Sequence, residues 1–272
     1  MSRKIRLFAV VVLLSAGYSL AMEWQFNTVQ PVSVGWWTSL ELDSSGYPHM
    51  SYRMENGQDL SYVYWDGSEW QTTVVDTEGD AGLWSSLELD TSGYPHISYM
   101  YKDGNDYDLR YAHENSSGWQ TETVDPVGSV GWCTSLVLDS SDYPHISYRD
   151  NGNFNLKYAR WDGSSWQIET VDDAGMVGLW SCIAIDSFDH PHISYMDYGN
   201  GALKYARWDG SNWHIETVDY DSDPIISMGY NTSIVLDSSD FPHISYVWYK
   251  EIQEPPDPID ANSLKYARWD GS

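Results

Sequence analysis

The sequence predicts an all-β fold, a five-bladed β-propeller of four-stranded antiparallel blades, on the strength of three observations. An eleven-residue phrase, "LDSSGYPHMSY" from Leu42 to Tyr52, returns four more times with small changes. Its histidines follow one another after 47, 49, 47 and 51 residues, a period typical of propeller blades rather than of helical solenoids. No sustained helical period occurs beyond the N-terminal segment. The repeated histidines are His49, His96, His145, His192 and His243.

Each repeat contains four short runs rich in β-branched and aromatic residues, which predict four strands. In the fourth repeat these runs read "SCIAID", "PHISYMD", "ALKYARWD" and "WHIETVD". A "DSSG" turn joins the first run to the second. A "WDGS" turn, whose Asp-Gly pair favours a tight hairpin, joins the third to the fourth. Each repeat is therefore predicted to be an antiparallel meander that buries both faces by packing radially against its neighbours.

The repeat units run roughly over residues 31–75, 76–124, 125–171, 172–218 and 219–272. The last unit ends at "LKYARWDGS" and contains only three of the four runs. The phrase "EWQFNTV", from Glu23, matches the fourth run "EWQTTVV" from Glu69. We expect residues 23–29 to complete the last blade beside the Leu264 strand, because this would remove an open sheet edge. Residues 22–272 would then be one domain.

The N-terminus has the pattern of a secretory signal peptide. A basic stretch, "MSRKIR", precedes the apolar run "LFAVVVLLSAGYSLA", which ends in small residues. We predict a signal peptide over residues 1–21, cleaved near Ala21, and a secreted or periplasmic protein. The apolar run is short for a membrane span and no second one follows, so no membrane insertion is expected.

The chain is strongly acidic. Its formal net charge is -26, and removal of the predicted signal peptide leaves 11 basic against 40 acidic residues. This charge repels phosphate backbones and anionic lipids, so nucleic acid is not expected as a partner. We interpret it as favouring solubility, with cation binding as the alternative.

One acidic run could hold a cation. "DYDSD" places Asp219, Asp221 and Asp223 at alternating positions, as in calcium loops, but lacks the glycine and the distal glutamate of an EF-hand. A solvated acidic loop is the alternative interpretation. We therefore expect no cofactor, with calcium as the one metal that this run could bind.

The pattern "SLxLDSSGxPHISY…LKYARWDGSxW" resembles the secreted bacterial β-propellers of the sialidase-like, BNR-type superfamily over the whole mature chain. The five-unit layout is also similar to tachylectin-type lectins, in which a tryptophan-led outer strand runs into a Gly-x-Trp segment. The matching stretch here is "WQIETVDDAGMVGLW", from Trp166 to Trp180. This second resemblance implies sugar binding between blades. True sialidases usually have six blades and an arginine triad, which we cannot pick out here.

The repeated polar residues are interpreted as structural, since a catalytic site is needed once and not five times. We expect the histidines to pack and hydrogen-bond within each blade. The repeated aspartates are expected to hold turns, and the tryptophans of "YARWDGSxW" to fill the space between blades. These aspartates are Asp43, Asp90, Asp139, Asp186 and Asp237.

One face of the predicted propeller differs between repeats and is the candidate ligand site. The segment that enters each blade carries aromatic residues, and the loop between the second and third strands opens on the same face. Exposed indoles beside hydrogen-bonding groups suit a sugar, whereas packing over the core near the axis is the alternative. The fifth repeat also has the longest loops on this face. The candidates are Trp36, Trp37, Trp84, Trp132, Trp180, Tyr230, Arg53, Arg149, Asp150 and Asp197.

The function favoured is a secreted, non-catalytic, lectin-like module that binds a carbohydrate or cell-surface glycan through this face, with multivalency from its similar blades. The first alternative is a propeller glycoside hydrolase, in which Glu41 and Glu88 on the inner strands could divide acid and nucleophile roles. The second is a structural or adhesion domain with a protein partner. The two cysteines, Cys133 and Cys182, could be bonded or free.

Overall fold

In every repeat the Pro-His pair begins a strand that has an antiparallel neighbour on each side. The described part of the chain has an all-β fold. The computed structural model describes residues 28–29, 36–222, 226–250 and 262–271. It contains nineteen strands in five antiparallel sheets, and the described residues form no helix. In each sheet the strands that follow one another in the chain are neighbours. The predicted all-β class and the four-stranded meander are thus confirmed in four of the five sheets.

The first sheet consists of β1 (Ser39–Leu42), β2 (Pro48–Arg53), β3 (Leu60–Trp65) and β4 (Trp70–Asp76). The second consists of β5 (Asp80–Leu89), β6 (Pro95–Asp103), β7 (Asp106–Asn115) and β8 (Gly118–Asp125). The third consists of β9 (Trp132–Leu138), β10 (Pro144–Asp150), β11 (Asn155–Trp161) and β12 (Trp166–Asp172). The fourth consists of β13 (Leu179–Ile185), β14 (Pro191–Asp197), β15 (Ala202–Trp208) and β16 (Trp213–Asp219). The fifth consists of β17 (Ile226–Leu236), β18 (Pro242–Lys250) and β19 (Ser263–Arg268).

The first strands of successive sheets lie side by side, β1 next to β5, then β9, β13 and β17. Serine hydroxyls link them. The backbone N–H of Leu87 donates to Ser39 Oγ at 3.1 Å, and the same bond recurs between the next two pairs of first strands. Because each bond joins two sheets, neighbouring sheets meet along their first strands.

The hydrophobic core lies between sheets. In the first such cluster, Leu60 and Tyr62 of β3 pack with Leu87, Ile97 and Tyr99 of the second sheet, and all five are buried. The clusters at the next junctions use the corresponding repeat positions. Burying one such side chain contributes about 1.5–3 kcal/mol, so each sheet is stabilised mainly by its neighbours.

A glycine at the entry to the first strand allows the sheets to approach closely. Gly178 has a φ of +82°, and a Cβ placed on it would lie 2.9 Å from the Cα of Leu156 in the preceding sheet. Gly82, Gly131 and Gly229 occupy the same position in their repeats, with similar φ values. This contact explains why the glycine of the Gly-x-Trp segment recurs.

An aspartate at the end of each fourth strand ties its sheet to the next. Tyr195 of the following sheet donates to Asp172 Oδ2 at 2.6 Å, and Lys204 also bonds that oxygen. The same arrangement occurs at Asp76, Asp125 and Asp219, where Arg110, Lys157 and Lys265 supply the cation. A buried ion pair with further hydrogen bonds is strongly sensitive to loss of one partner.

Both cysteines are free thiols, so the disulfide alternative is not realised. Cys133 is buried, and burial raises the pKa of its thiol to about 11. Cys182 occupies the repeat position at which the first strands of the preceding sheets have the linking serine. Its sulfur lies 3.9 Å from Ser135 Oγ.

All five sheets belong to a compact unit, Val32–Ser272; of the other unit, Met1–Pro31, only Thr28 and Val29 are described. The predicted signal peptide (1–21) and most of the predicted closing strand (23–29) therefore lie outside the described residues, as do residues 223–225 and 251–261. No helix within the described ranges is both long and apolar enough to cross a membrane.

The first and fifth sheets expose apolar side chains whose counterparts in the other sheets are buried between neighbouring sheets. Leu264 and Tyr266 of β19 are 82% and 60% exposed, and Leu40 of β1 is 58% exposed. Their counterparts Leu203 and Leu87 are almost completely buried. These two surfaces are thus equivalent to the two halves of an inter-sheet core.

Candidate functional site

The predicted aromatic residues occupy two adjacent positions of the repeat. Trp37, Trp84 and Trp180 each have a φ between 55° and 58°, a left-handed conformation that is uncommon for tryptophan. Cys133 and Asn231 hold the same position in the other repeats, again with positive φ. The remaining candidates, Trp36, Trp132 and Tyr230, lie one residue earlier. The sequence placed both sets on one face but did not separate them.

Trp37, Trp84 and Trp180 form one packed cluster. The rings of Trp37 and Trp84 are 5.5 Å apart, and those of Trp84 and Trp180 are 5.3 Å apart in an edge-to-face arrangement. All three are half-buried. Such contacts stabilise aromatic pairs, so the three rings hold one another in place. Trp36 is different, because its side chain is 66% exposed beside Trp37.

The predicted arginines are buried. Arg53 Nε donates to Asp80 Oδ1 at 2.6 Å. Arg149 is 3% exposed and lies over the ring of Phe154, and burial lowers the pKa of its guanidinium. Its Nε has no hydrogen-bond partner in the described part of the chain.

The predicted aspartates hold their own loops. Asp150 accepts hydrogen bonds from Gly152 N at 2.9 Å and Asn153 Nδ2 at 2.8 Å. Asp197 accepts from both nitrogens of Asn200 in the same way. An aspartate followed three residues later by asparagine is the sequence signal that could have predicted this turn-holding role.

A cleft lies at the same end of the molecule, between the fourth and fifth sheets. It has a volume of about 480 Å³ and contains tyrosine rings and asparagine amides. Tyr230 and Tyr249 are 5.5 Å apart, and Tyr198 from the fourth sheet is half exposed. We call it the tyrosine cleft; its lining residues are Tyr198, Tyr230, Asn231, Val247, Tyr249 and Asn262. Sequence reasoning found only Tyr230 of this set, although it singled out the long loops of the fifth repeat.

Glu41 and Glu88 lie at the same repeat position on two adjacent first strands. Burial raises the pKa of Glu88 to about 7, and the nearby Glu41 carboxylate contributes to this shift. Burial also raises the pKa of Glu41. A carboxyl group that is half protonated near neutral pH can act as a general acid.

The acidic run of the fifth repeat is only partly described. Asp219 already accepts hydrogen bonds from Tyr246 at 2.6 Å and Lys265 at 2.7 Å, and Asp223 lies outside the described residues. Within the described ranges no group of three His, Cys, Asp or Glu side chains is placed to hold a metal ion.

The repeated histidines make the same contacts in each sheet. His145 Nδ1 hydrogen-bonds Tyr158 OH at 2.5 Å, and its Nε2 lies 3.4 Å from Asp139. Asp139 also accepts from the backbone of the turn that follows it, at Ser141 and Tyr143. Burial lowers the pKa of His145, opposed by Asp139. These contacts agree with a structural role for both repeated residues.

No protein-family model and no curated protein matches the sequence. Solved structures do resemble the fold. A protein of unknown function from Dyadobacter fermentans aligns with a TM-score of 0.60 and 11% identity, over 85% of this chain and 75% of its own. A polysaccharide lyase of family PL25, an ulvan lyase, aligns with a TM-score of 0.58 and 12% identity, over 89% and 69%.

A Hadza microbial sialidase aligns with a TM-score of 0.50 and 11% identity, over 79% of this chain and 55% of its own. At such identities the similarity defines the fold alone, and function must be argued from the site. The chain therefore has a β-propeller-like fold of repeated antiparallel sheets.

Proposed function

We propose that the protein is a secreted, non-catalytic, lectin-like module that binds carbohydrate at the loop end of its sheets. The observation that supports this most is the tyrosine cleft, in which aromatic rings and amide side chains meet on a rigid scaffold. Its volume of about 480 Å³ lies in the range of small-molecule sites. Two of the solved structures with a similar fold, an ulvan lyase and a sialidase, are also named for activities on carbohydrates.

The chemistry of the tyrosine cleft suits a sugar better than an ion. A pyranose ring has an apolar face that packs on an aromatic ring, while its hydroxyls need donors and acceptors at the edge. Tyr198 and Tyr249 offer both a ring and a hydroxyl, and Asn231 and Asn262 add amide groups that donate and accept. No charged side chain lines this cleft among the described residues, so a neutral glycan is the expected ligand.

A glycan array of the mature protein tests the proposal. We expect saturable binding that falls at least about tenfold in Tyr249→Ala, because a buried aromatic contact is worth 1–3 kcal/mol or more in a binding site. Tyr94→Ala is the matched control, since Tyr94 is an exposed tyrosine of a turn at the other end of the sheet. Binding of a protein and of no glycan would instead favour an adhesion domain.

A glycoside hydrolase is the second candidate, because Glu88 has a raised pKa beside a second carboxylate. This function predicts release of reducing sugar from an array-positive glycan, and loss of that release in Glu88→Gln or Glu41→Gln. Glycan that is retained and recovered intact by the wild-type protein contradicts it.

We also propose that the five sheets are the blades of a closed five-bladed propeller, and that the mature chain starts after Ala21. The exposed faces of β19 and β1 support closure, since they carry the residue types of an inter-sheet core. Deletion of residues 23–29 should lower the thermal midpoint by several degrees. An unchanged midpoint contradicts closure by this segment, and N-terminal sequencing of the exported protein tests the cleavage site.

A further inference from the structure

Two clefts of another kind lie at the opposite end of the sheets, which carries the first-to-second turns and the third-to-fourth hairpins. The larger, about 380 Å³, lies between the third and fourth sheets. The smaller, about 240 Å³, lies between the second and third. The residues that line these two clefts occupy matching positions of the repeat, and we call the two the turn-end clefts. A third cleft, of about 390 Å³, lies at the corresponding junction of the fourth and fifth sheets.

Each turn-end cleft has a wall of three aromatic rings. In the smaller cleft the Trp166 ring stands edge-on to Tyr111 of the preceding sheet at 5.3 Å, and to Trp161 of its own hairpin at 5.7 Å. In the larger cleft Trp213 makes the same contacts with Tyr158 and Trp208, at 5.3 and 5.7 Å. Because each tryptophan is fixed by two other rings, the wall exists before any ligand arrives.

Two polar atoms of the smaller cleft have no hydrogen-bond partner within the described ranges, whereas His96 and Tyr111 bond each other. Trp166 Nε1 and His113 Nδ1 are buried and have no hydrogen-bond partner among the described residues. Glu122, an exposed carboxylate, lies at the mouth of the same cleft. Leaving a buried donor or acceptor unpaired is unfavourable, so a ligand that bonds these groups would be stabilised by doing so.

In the larger cleft the corresponding indole N–H, that of Trp213, has a hydrogen-bond partner. Trp213 Nε1 donates to Glu169 Oε2 at 3.0 Å, and Glu169 is the counterpart of Glu122. Arg160 replaces His113 at the adjacent position. The two clefts therefore share their aromatic walls and their glutamate, but only in the smaller one does the indole N–H lack a partner among the described residues.

We propose that the turn-end clefts are a second set of sugar sites, and that the smaller one binds a neutral pyranose through the Trp166 indole N–H and Glu122. This proposal rests on the proposed carbohydrate-binding function for its ligand class. A sugar hydroxyl can accept from Trp166 Nε1 while it donates to a carboxylate. A quaternary ammonium ion would also suit an aromatic cleft with an acidic group, but it cannot accept that hydrogen bond.

The indole N–H resonances of the mature protein test the proposal directly, in a titration with a panel of methyl pyranosides. We expect one of these sugars to shift the Trp166 N–H signal saturably. Trp166→Phe keeps a ring but removes the donor, and should weaken this sugar at least about tenfold. Trp119→Phe is the matched control, because its hairpin carries Glu114 where the clefts have a tryptophan.

Two further measurements separate the possible failures. Tyr249→Ala should leave the Trp166 shift unchanged, since the tyrosine cleft lies at the other end of the sheets. A wild-type protein that binds sugar at the tyrosine cleft with no shift at Trp166 overturns the turn-end proposal alone. A shift caused by tetramethylammonium and by no pyranoside also overturns it. Loss of all sugar binding, at either end, contradicts the proposed function as well.

Discussion

A single carboxylate, that of Asp172, links two sheets through a tyrosine and a lysine. Burial raises the pKa of Asp172, but the hydrogen bonds from Lys204 and Tyr195 outweigh burial and lower its pKa below the ordinary value of 3.8. The stability from this group is therefore fully present above the unfolded pKa and is lost as the pH falls through the folded one. The same logic applies to Asp219, with Lys265 and Tyr246.

We predict that Asp172→Asn lowers the free energy of unfolding at pH 7 by about 3 kcal/mol, because it leaves the Lys204 ammonium without its counter-charge at a poorly exposed site. Urea denaturation provides the measurement. Asp173→Asn, at the adjacent exposed residue, is the control and should change it by less than about 0.5 kcal/mol. An equal loss of unfolding free energy in the two variants would show that the Asp172–Lys204 pair makes no specific contribution to stability.

Glu88 has the opposite pH dependence. Its pKa of about 7 in the folded protein lies above the ordinary value of 4.5, so the stability it contributes is present below pH 4.5 and is lost as the pH rises through 7. We predict that Glu88→Gln is more stable than the wild type at pH 8 by up to about 3 kcal/mol, with a smaller difference at pH 5. Denaturation at the two pH values checks this, with the exposed Glu122→Gln as control. A difference independent of pH contradicts the assignment.

At the scale of elements, neighbouring turns are joined by aspartates. Asp142 accepts from both the backbone and the hydroxyl of Thr91 in the preceding sheet, and Asp189 does the same with Ser140. The first two sheets lack this junction bond because Gly93 occupies the corresponding position, with a φ of +85°. A side chain added there meets no atom within 4 Å.

We predict that Gly93→Asp is more stable than Gly93→Ala by about 1 kcal/mol. Both substitutions carry a backbone penalty at positive φ, which is smaller for aspartate, and only the aspartate can bond Ser44 in the neighbouring turn. Thermal denaturation of the two variants measures the difference. It should shrink when Ser44 is also changed to Ala, and a difference of unchanged size would rule out the junction bond.

The strands and turns were predictable from the sequence, but the side-chain contacts within loops and between sheets were not. The strand at Pro144–Asp150 and the hairpin at "WDGS" follow from a local pattern and from turn chemistry. The hydrogen bond that Asp150 accepts from Asn153 in its own loop was likewise not predicted. The tyrosine cleft joins Tyr198 and Tyr249, from different sheets, and no local pattern reports that they meet.

For the whole molecule, the net charge of -26 sets which glycans can approach. Neutral sugars gain nothing from this field, whereas sulfated or uronic acid glycans are repelled by it. We predict that affinity for a neutral glycan is nearly independent of salt between about 0.05 and 0.5 M, while any affinity for its sulfated analogue rises as salt screens the repulsion. Titration calorimetry at the two salt concentrations tests this, and an anionic glycan that binds best at low salt contradicts it.

The central claim is that repeated sheets hold preformed sugar sites that bind without turnover. Native mass spectrometry of the mature protein with its best array glycan tests this claim most directly, because it reports both the number of bound glycans and their mass. We predict more than one glycan per chain, each of unaltered mass after prolonged incubation. A protein that retains no glycan, or that releases it cleaved, contradicts the account.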